Sequence, residues 1–291
     1  MKKIVILGCE NSHADTFLAF IRDVEEFKNI EVLGIYSDET EAAEKLSKEF
    51  GVKVMSSYDE FAGQVDGVII TARHGDNHYK YAKPYIKYGV PMFIDKPVTV
   101  TEEDALNFMR ECRDNGVRLT GGSSLKHVEE VQQLKKDVLN NVGGQTLGGF
   151  MRAPISLDNE YGGFFFYSEH LSAMVTEAFG TYPKSVKAIR NGDVVNVSFI
   201  YDNYVINSIY AELNYYYYVS RQSEQGFTQA TFPIDEKSPC FYTEFSEFVR
   251  LLNGGEQKYS YKDFISPVFI LNAIYRSLET GNEEIVKDYS L

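Results

Sequence analysis

The chain opens on a continuous apolar run at residues 3–7 (KIVIL) that stops at Gly8. The period then changes, and Ala14, Phe17, Leu18 and Ile21 fall on one helical face. A buried strand, a turn and an amphipathic helix are the elements this pattern predicts. Asn11 and Ser12 stand just before the apolar face, where a side-chain oxygen can cap the helix. The unit then recurs. Residues 31–37 (EVLGIYS) read as a second strand, ETEAAEKLSKEFG as a helix closed by Gly51, and VKVM as a short strand. Residues 65–71 (VDGVIIT), the helix HYKYAKPYIKYG, the strand PMFIDKP, the helix TEEDALNFMRECRDNG and the strand VRLTGG continue the alternation. Strands apolar throughout and joined to helices by short connections belong to a parallel sheet covered on both faces, and right-handed crossovers make it doubly wound.

After Gly122 the pattern is different. One helix (HVEEVQQLKKDVL) and a Gly-rich stretch lead into strand-like segments near residues 184–190, 193–201, 204–213 and 215–222. Asn191-Gly192 and Asp202-Asn203 are turn signals between them, so these segments predict an antiparallel meander. The last stretches, FYTEFSEFVRLLNGG and DFISPVFILNAIYRSLETG, return to helical periodicity. The fold expected is α/β: an N-terminal Rossmann-type doubly wound sheet over residues 1–121, then an α+β domain with an open, mainly antiparallel sheet over 122–291. A length of 291 residues suits two such cores.

Composition narrows the function classes. A formal net charge of −13 without a basic run argues against nucleic acid as a partner. There is no run of eighteen apolar residues, and the N-terminal apolar run is too short for a signal peptide, so neither a membrane nor export is expected. Cys9, Cys112 and Cys240 are odd in number and widely spaced, which suits a reducing cytoplasm better than a disulfide framework. A small molecule is the expected partner.

In an open α/β sheet, ligands bind beyond the carboxyl ends of the strands. GCENSH, YSDE, TARHGDNH and DKP should therefore face one crevice. The first is the dinucleotide fingerprint position, where glycines let the backbone approach a pyrophosphate. Gly8 is present, but Glu10 and His13 replace the other two glycines, with Asn11 and Ser12 between them. The second strand ends in Tyr36-Ser37, with Asp38 one place later; an acidic residue there favours NAD, whereas Ser37 tolerates the 2′-phosphate of NADP, so both cofactors stay open. Thr71, Ala72, His74 and His78 lie after the strand VDGVIIT, and His78 is expected near the start of the next helix. The i, i+4 spacing of His74 and His78 lacks a recognised ligand signature, and no metal is expected. Lys96, between Asp95 and Pro97, leaves an apolar strand and is aimed at the crevice, with Pro97 able to adopt a cis bond. His170, beginning a helix after Gly162-Gly163 and three phenylalanines, has the pKa range of a general acid/base.

These residues resemble the glucose-fructose oxidoreductase and inositol dehydrogenase family (Gfo/Idh/MocA), the likeness running from KIVILG through TARHGDNH and FIDKPVT to the C-terminal helices. The markers are DKP, similar to the family's Glu-Lys-Pro, the His78 helix start, and Gly-Gly followed by His170. The resemblance implies a Rossmann domain that binds NAD or NADP and a C-terminal open sheet used for substrate and for homo-oligomer contacts. It also implies oxidation or reduction at a hydroxyl of a sugar, cyclitol or related polyol. By it, Lys96 would polarise the reacting hydroxyl, His170 would be the acid/base, and His78 would belong to the loop over the nicotinamide. Phe166 and Tyr167 would join Lys96 and His170 around the substrate. The chain departs from the pattern where members usually carry an Asp four residues before this histidine, since Phe166 stands there. With Glu10 in the fingerprint, that departure is what an alternative reading builds on: a ligand-binding sensor or scaffold on the same fold that has lost turnover.

Overall fold

The computed structural model describes residues 1–235 and 237–291. They divide into two compact units: Met1–Gly122 with Phe241–Phe264 and Leu291, and Ser123–Cys240 with Ile265–Ser290.

In the first unit the apolar runs become β1 (Lys2–Leu7), β2 (Ile30–Tyr36), β3 (Gly67–Ile70), β4 (Met92–Asp95) and β5 (Leu119–Gly122). They pair in the order β2-β1-β3-β4-β5, and every pair is parallel. The helices between them are α1 (Ser12–Asp23), α2 (Thr40–Phe50), α3 (Asp76–Ile86) and α4 (Glu102–Asp114). Each buries the stripe its periodicity marks; on α1 this is Ala14, Phe17 and Leu18. Gly51, at φ 70°, ends α2, and the Thr101 hydroxyl accepts the Asp104 N–H to start α4. Two local expectations fail. The VKVM strand is only an isolated bridge between Ile35 and Val54, because two lysine-flanked valines give too little surface for a sixth strand to bury. Neither Asn11 nor Ser12 caps α1; Asn11 holds the N-cap position, but its amide donates to Asp95 across the sheet.

The chain returns to this unit through α7 (Pro239–Leu252), which a single cut at residues 121/122 does not anticipate. Its aromatic face explains the return. Phe245 packs in a tilted contact on Phe17 of α1 and edge-to-face on Phe27, at ring separations of 4.9 and 4.8 Å, and Phe17 meets Phe93 of β4 edge-to-face at 5.0 Å.

In the second unit, β6 (Thr146–Ile155), β7 (Ser185–Asn191), β8 (Val194–Ile200), β9 (Val205–Glu212), β10 (Tyr217–Ser223), β11 (Gly226–Phe232) and β12 (Glu283–Ile285) form one sheet in the order β11-β10-β6-β9-β8-β7-β12. The expected meander holds for β7-β8-β9 and then breaks. β6 inserts between β9 and β10, parallel to β9. Its Gly148-Gly149 hid it in the sequence, yet Gly149 is required there: a Cβ would lie 2.5 Å from the Ser220 carbonyl oxygen. Helices α5 (Glu129–Leu139), α6 (Phe164–Phe179) and α8 (Tyr261–Thr280) complete the element order. Burial alternates along the strands: Val195, Val197, Ile206, Tyr210 and Val219 are enclosed, while Ile189, Val205 and Phe227 of the opposite face are exposed. Among the described residues, no helix is long and apolar enough to cross a membrane.

The α7 contact is testable. Phe245→Ala removes a fully buried ring from the α1 interface and should cost about 3–5 kcal/mol. A urea titration reads this as a lower midpoint at unchanged slope; a loss under about 1 kcal/mol would show that α7 does not support the Rossmann core.

Candidate functional site

Strand order reverses around β1, with β2 on one side and β3 on the other, so the crevice beyond their carboxyl ends is where such a sheet takes a ligand. Gly8 makes its floor. At φ 91° it packs so closely on the end of β3 that a Cβ would lie 2.1 Å from the Ala72 backbone nitrogen, and the Thr71 hydroxyl donates to the Gly8 carbonyl at 2.6 Å. Both residues that replace glycines after it send their side chains elsewhere. Glu10 Oε2 accepts the Ser37 hydroxyl at 2.6 Å and Oε1 accepts the Arg73 N–H at 3.0 Å. His13 turns inward, 5% exposed. Its Nδ1 stands 3.2 Å from Asp95 Oδ2 and its Nε2 2.9 Å from Glu244 Oε1 of α7.

This buried cluster ties three segments together. Asp95 Oδ2 also accepts the Asn11 amide at 2.6 Å, and Oδ1 accepts the Lys96 N–H at 2.6 Å. Burial alone would lower the His13 pKa, but Asp95 and Glu244 beside it outweigh burial and hold the imidazole above its ordinary value. Glu244 had no signal in the sequence; it is read only once α7 is seen on α1.

The loop fits a dinucleotide's pyrophosphate. Its two large side chains are committed away from the backbone, and no side chain caps α1, which leaves the helix N-terminus to an anion. At the end of β2, Ser37 is buried against Glu10. Asp38 accepts the Tyr36 hydroxyl at 2.7 Å and Lys80 at 3.3 Å. Although partial burial works the other way, hydrogen bonds from Tyr36, Tyr81 and Lys80 hold the Asp38 carboxyl below its ordinary value. A basic residue, Lys80 of α3, therefore stands at this edge.

His78 is not placed as the resemblance implied. It is the third residue of α3 and wholly buried, with Nδ1 2.7 Å from the Pro97 carbonyl and Nε2 2.8 Å from the Ala72 carbonyl. Burial pushes its pKa below the ordinary value, against Asp95 and the two carbonyl contacts, which favour the protonated ring. It fastens the end of β3 to the DKP turn rather than facing a cofactor, and it cannot share a metal with His74. His74 is partly exposed and accepts the Asp76 N–H at 3.3 Å. Lys96 is 4% exposed at the end of β4, and the Lys96–Pro97 bond is cis.

The other candidates lie in the second unit. His170 sits in the second turn of α6 rather than at its start, because the helix already begins at Phe164. Asn159 shapes the preceding turn, accepting the Tyr161 and Gly163 N–H groups at 2.9 and 3.2 Å. His170 Nδ1 lies 2.7 Å from Ser123 Oγ, which also accepts the Leu125 N–H at 3.2 Å. Ser123 is thus the hydroxyl partner of His170, and its place directly after the end of β5 is the signal in the sequence that points to it. Tyr167 lays its ring edge against His170 at 4.8 Å, and burial pushes its phenol up to about 12. Phe166 meets Tyr161 at 5.2 Å and Tyr167 at 5.6 Å, forming an aromatic wall beside the histidine.

Comparison with known proteins agrees with this architecture. Residues 2–123 match the Gfo/Idh/MocA family, described as an oxidoreductase family with an NAD-binding Rossmann fold. Over those residues the chain is similar to that family. A glucose-6-phosphate 3-dehydrogenase of Bacillus subtilis (strain 168) is 29% identical over 151 residues, which are 50% of this chain and 41% of that protein. The chain thus matches less than half the length of this curated relative. Two solved structures extend the fold across the whole chain. A myo-inositol dehydrogenase from Corynebacterium glutamicum ATCC 13032 has a TM-score of 0.83 at 16% identity, covering 99% of this chain and 100% of its own. A scyllo-inositol dehydrogenase from Lactobacillus casei, with bound NAD(H) and scyllo-inositol, has a TM-score of 0.83 at 14% identity, covering 98% and 99%. At these identities the likeness is one of fold. Glu10 and His13 are this chain's own answer to two missing glycines.

The His13 cluster has a pH signature. Because the folded state raises the His13 pKa, its stabilisation is fully present below the unfolded value of about 6.5 and is lost as pH rises through the higher folded value. His13→Gln should cost about 3–5 kcal/mol at pH 6 and progressively less at alkaline pH, measured by urea midpoints across the range. A difference that stays flat with pH would show that His13 is not charged.

Proposed function

We propose that this protein is an NAD(P)-dependent oxidoreductase acting at a hydroxyl of a sugar, cyclitol or related polyol, in a reducing cytoplasm that keeps its three buried cysteines as thiols. Bound nicotinamide would supply the hydride chemistry, accepting a hydride from the carbinol carbon or returning it. The crevice residues Gly8, Asn11, Ser12, Ser37 and Ala72 would hold the dinucleotide. Lys96 would steady the negative charge that develops on the substrate oxygen.

His170 would carry the hydroxyl proton, and its geometry is the observation on which the reading chiefly rests. One nitrogen is pinned to Ser123 at 2.7 Å, and the hydroxyl oxygen has lone pairs for both the Leu125 N–H and an Nδ1–H. In that tautomer Nε2 holds the lone pair a general base needs, in a fixed orientation. The wall of Tyr161, Phe166 and Tyr167 offers faces on which the C–H side of a sugar ring packs. The inositol and glucose 6-phosphate specificities of the similar proteins agree with that substrate class.

The open face of the seven-stranded sheet is proposed to pair with a second copy. Phe150, Ile209 and Tyr218 lie on it, opposite the face that buries Ile206 and Tyr210.

Nicotinamide absorbance on mixing the protein and NAD or NADP with cyclitols, hexoses and hexose phosphates tests the activity. His170→Asn should lower kcat/KM by about 10²–10⁴-fold while leaving nucleotide affinity within about three-fold. Nucleotide binding without turnover on any of these classes would favour the sensor or scaffold reading instead. For assembly, light scattering should give a dimer or larger, and Phe150→Glu with Ile209→Lys should return it to the monomer mass; a monomeric wild type ends that part of the proposal.

A further inference from the structure

Glu10 stands where the fingerprint has its second glycine, yet its carboxylate is held in one place by two donors. Ser37 follows the end of β2 and Arg73 follows the end of β3, and Glu10 bonds to both, at 2.6 and 3.0 Å. These strands flank β1, so the carboxylate lies at the point where the strand order reverses, beside the residue that closes β2. In Rossmann sheets that edge decides the cofactor: an acidic side chain ending the second strand binds the adenosine ribose hydroxyls of NAD, and an Arg nearby accommodates the 2′-phosphate of NADP. In this chain the second strand ends without its acid. Asp38, one place later, is already engaged by Tyr36, Tyr81 and Lys80.

We propose that Glu10 supplies the missing carboxylate from β1 and is the cofactor-specificity residue, accepting an adenosine ribose hydroxyl of NAD and excluding the 2′-phosphate of NADP. An ionised carboxylate has about four lone-pair sites, and Ser37 and Arg73 use two, which leaves acceptors for a ribose hydroxyl. A 2′-phosphate brought to Ser37 would meet Glu10 directly and Asp38 close by. Lys80 offers weak compensation, because its ammonium is already paired with Asp38 and lies over the rings of Tyr58 and Tyr81. The inference rests on the nucleotide-binding function proposed above.

The test is fluorescence titration of the full chain with NADH and with NADPH, for the wild type, Glu10→Gln and Glu10→Gly, with circular dichroism to confirm folding. The wild type should bind NADH at least about ten-fold more tightly than NADPH, and Glu10→Gln, which keeps the shape and removes the charge, should narrow the ratio to about three-fold or less, chiefly by improving NADPH binding. Equal affinities in the wild type, or a ratio unchanged in Glu10→Gln, overturns the proposal. If the wild type binds neither nucleotide while Glu10→Gly binds one, the carboxylate closes the site; the specificity role falls and the nucleotide-binding fold stands. If none of the three binds either nucleotide, both readings fall.

Discussion

An imidazole buried to 5% exposure keeps a proton only with carboxylates beside it, and His13 has two. Asp95 comes from the end of β4 and Glu244 from α7, so the ion cluster joins the fingerprint loop, the strand end that carries Lys96, and a helix more than two hundred residues later in the chain. In the usual fingerprint a third glycine lets α1 approach the sheet, and attraction is left to apolar packing. Here a bulkier residue fills the space and holds it electrostatically. The arrangement is costly to break at any one member, because each loss leaves an uncompensated charge in the interior.

The same cluster constrains the chemistry beside it. Asp95 accepts from Asn11 and the Lys96 N–H and stands 3.2 Å from His13 Nδ1, so the turn bearing Lys96 is fixed by the loop expected to lie under the cofactor. His78 braces that turn from the other side through the Pro97 carbonyl. Residues that look like five separate chemical candidates are therefore linked, with His13, His78 and Asp95 holding the backbone that carries Glu10 and Lys96. In the second unit the division of labour is simpler: Asn159 shapes the turn into α6, and Ser123 sets the ring of His170.

The parallel sheet was legible because its strands are apolar on both faces, a pattern that few other architectures tolerate. β6 was not, since two glycines remove the alternation by which a half-buried strand is recognised, and its parallel pairing with β9 has no local signal at all. Among site residues, Gly8, Glu10, Lys96 and His170 could be named from motif and spacing. Ser37 and Asp95 could be named but not paired, while Glu244 and the pairing of Ser123 come into view only through the groups that pack against them.

The amino-acid sequence by itself determined the periodicities, hence the helices and most strands, the doubly wound order and the residues at the strand ends. Those are properties of short windows, where burial and hydrogen bonding follow from local pattern. Only the tertiary structure decided that Glu10 points to Ser37 rather than at a phosphate, that His13 is enclosed between two carboxylates, and that His78 is a backbone brace. Side-chain direction and charge state depend on groups tens to hundreds of residues away, and desolvation and Coulomb attraction act through space without regard to the order of the chain.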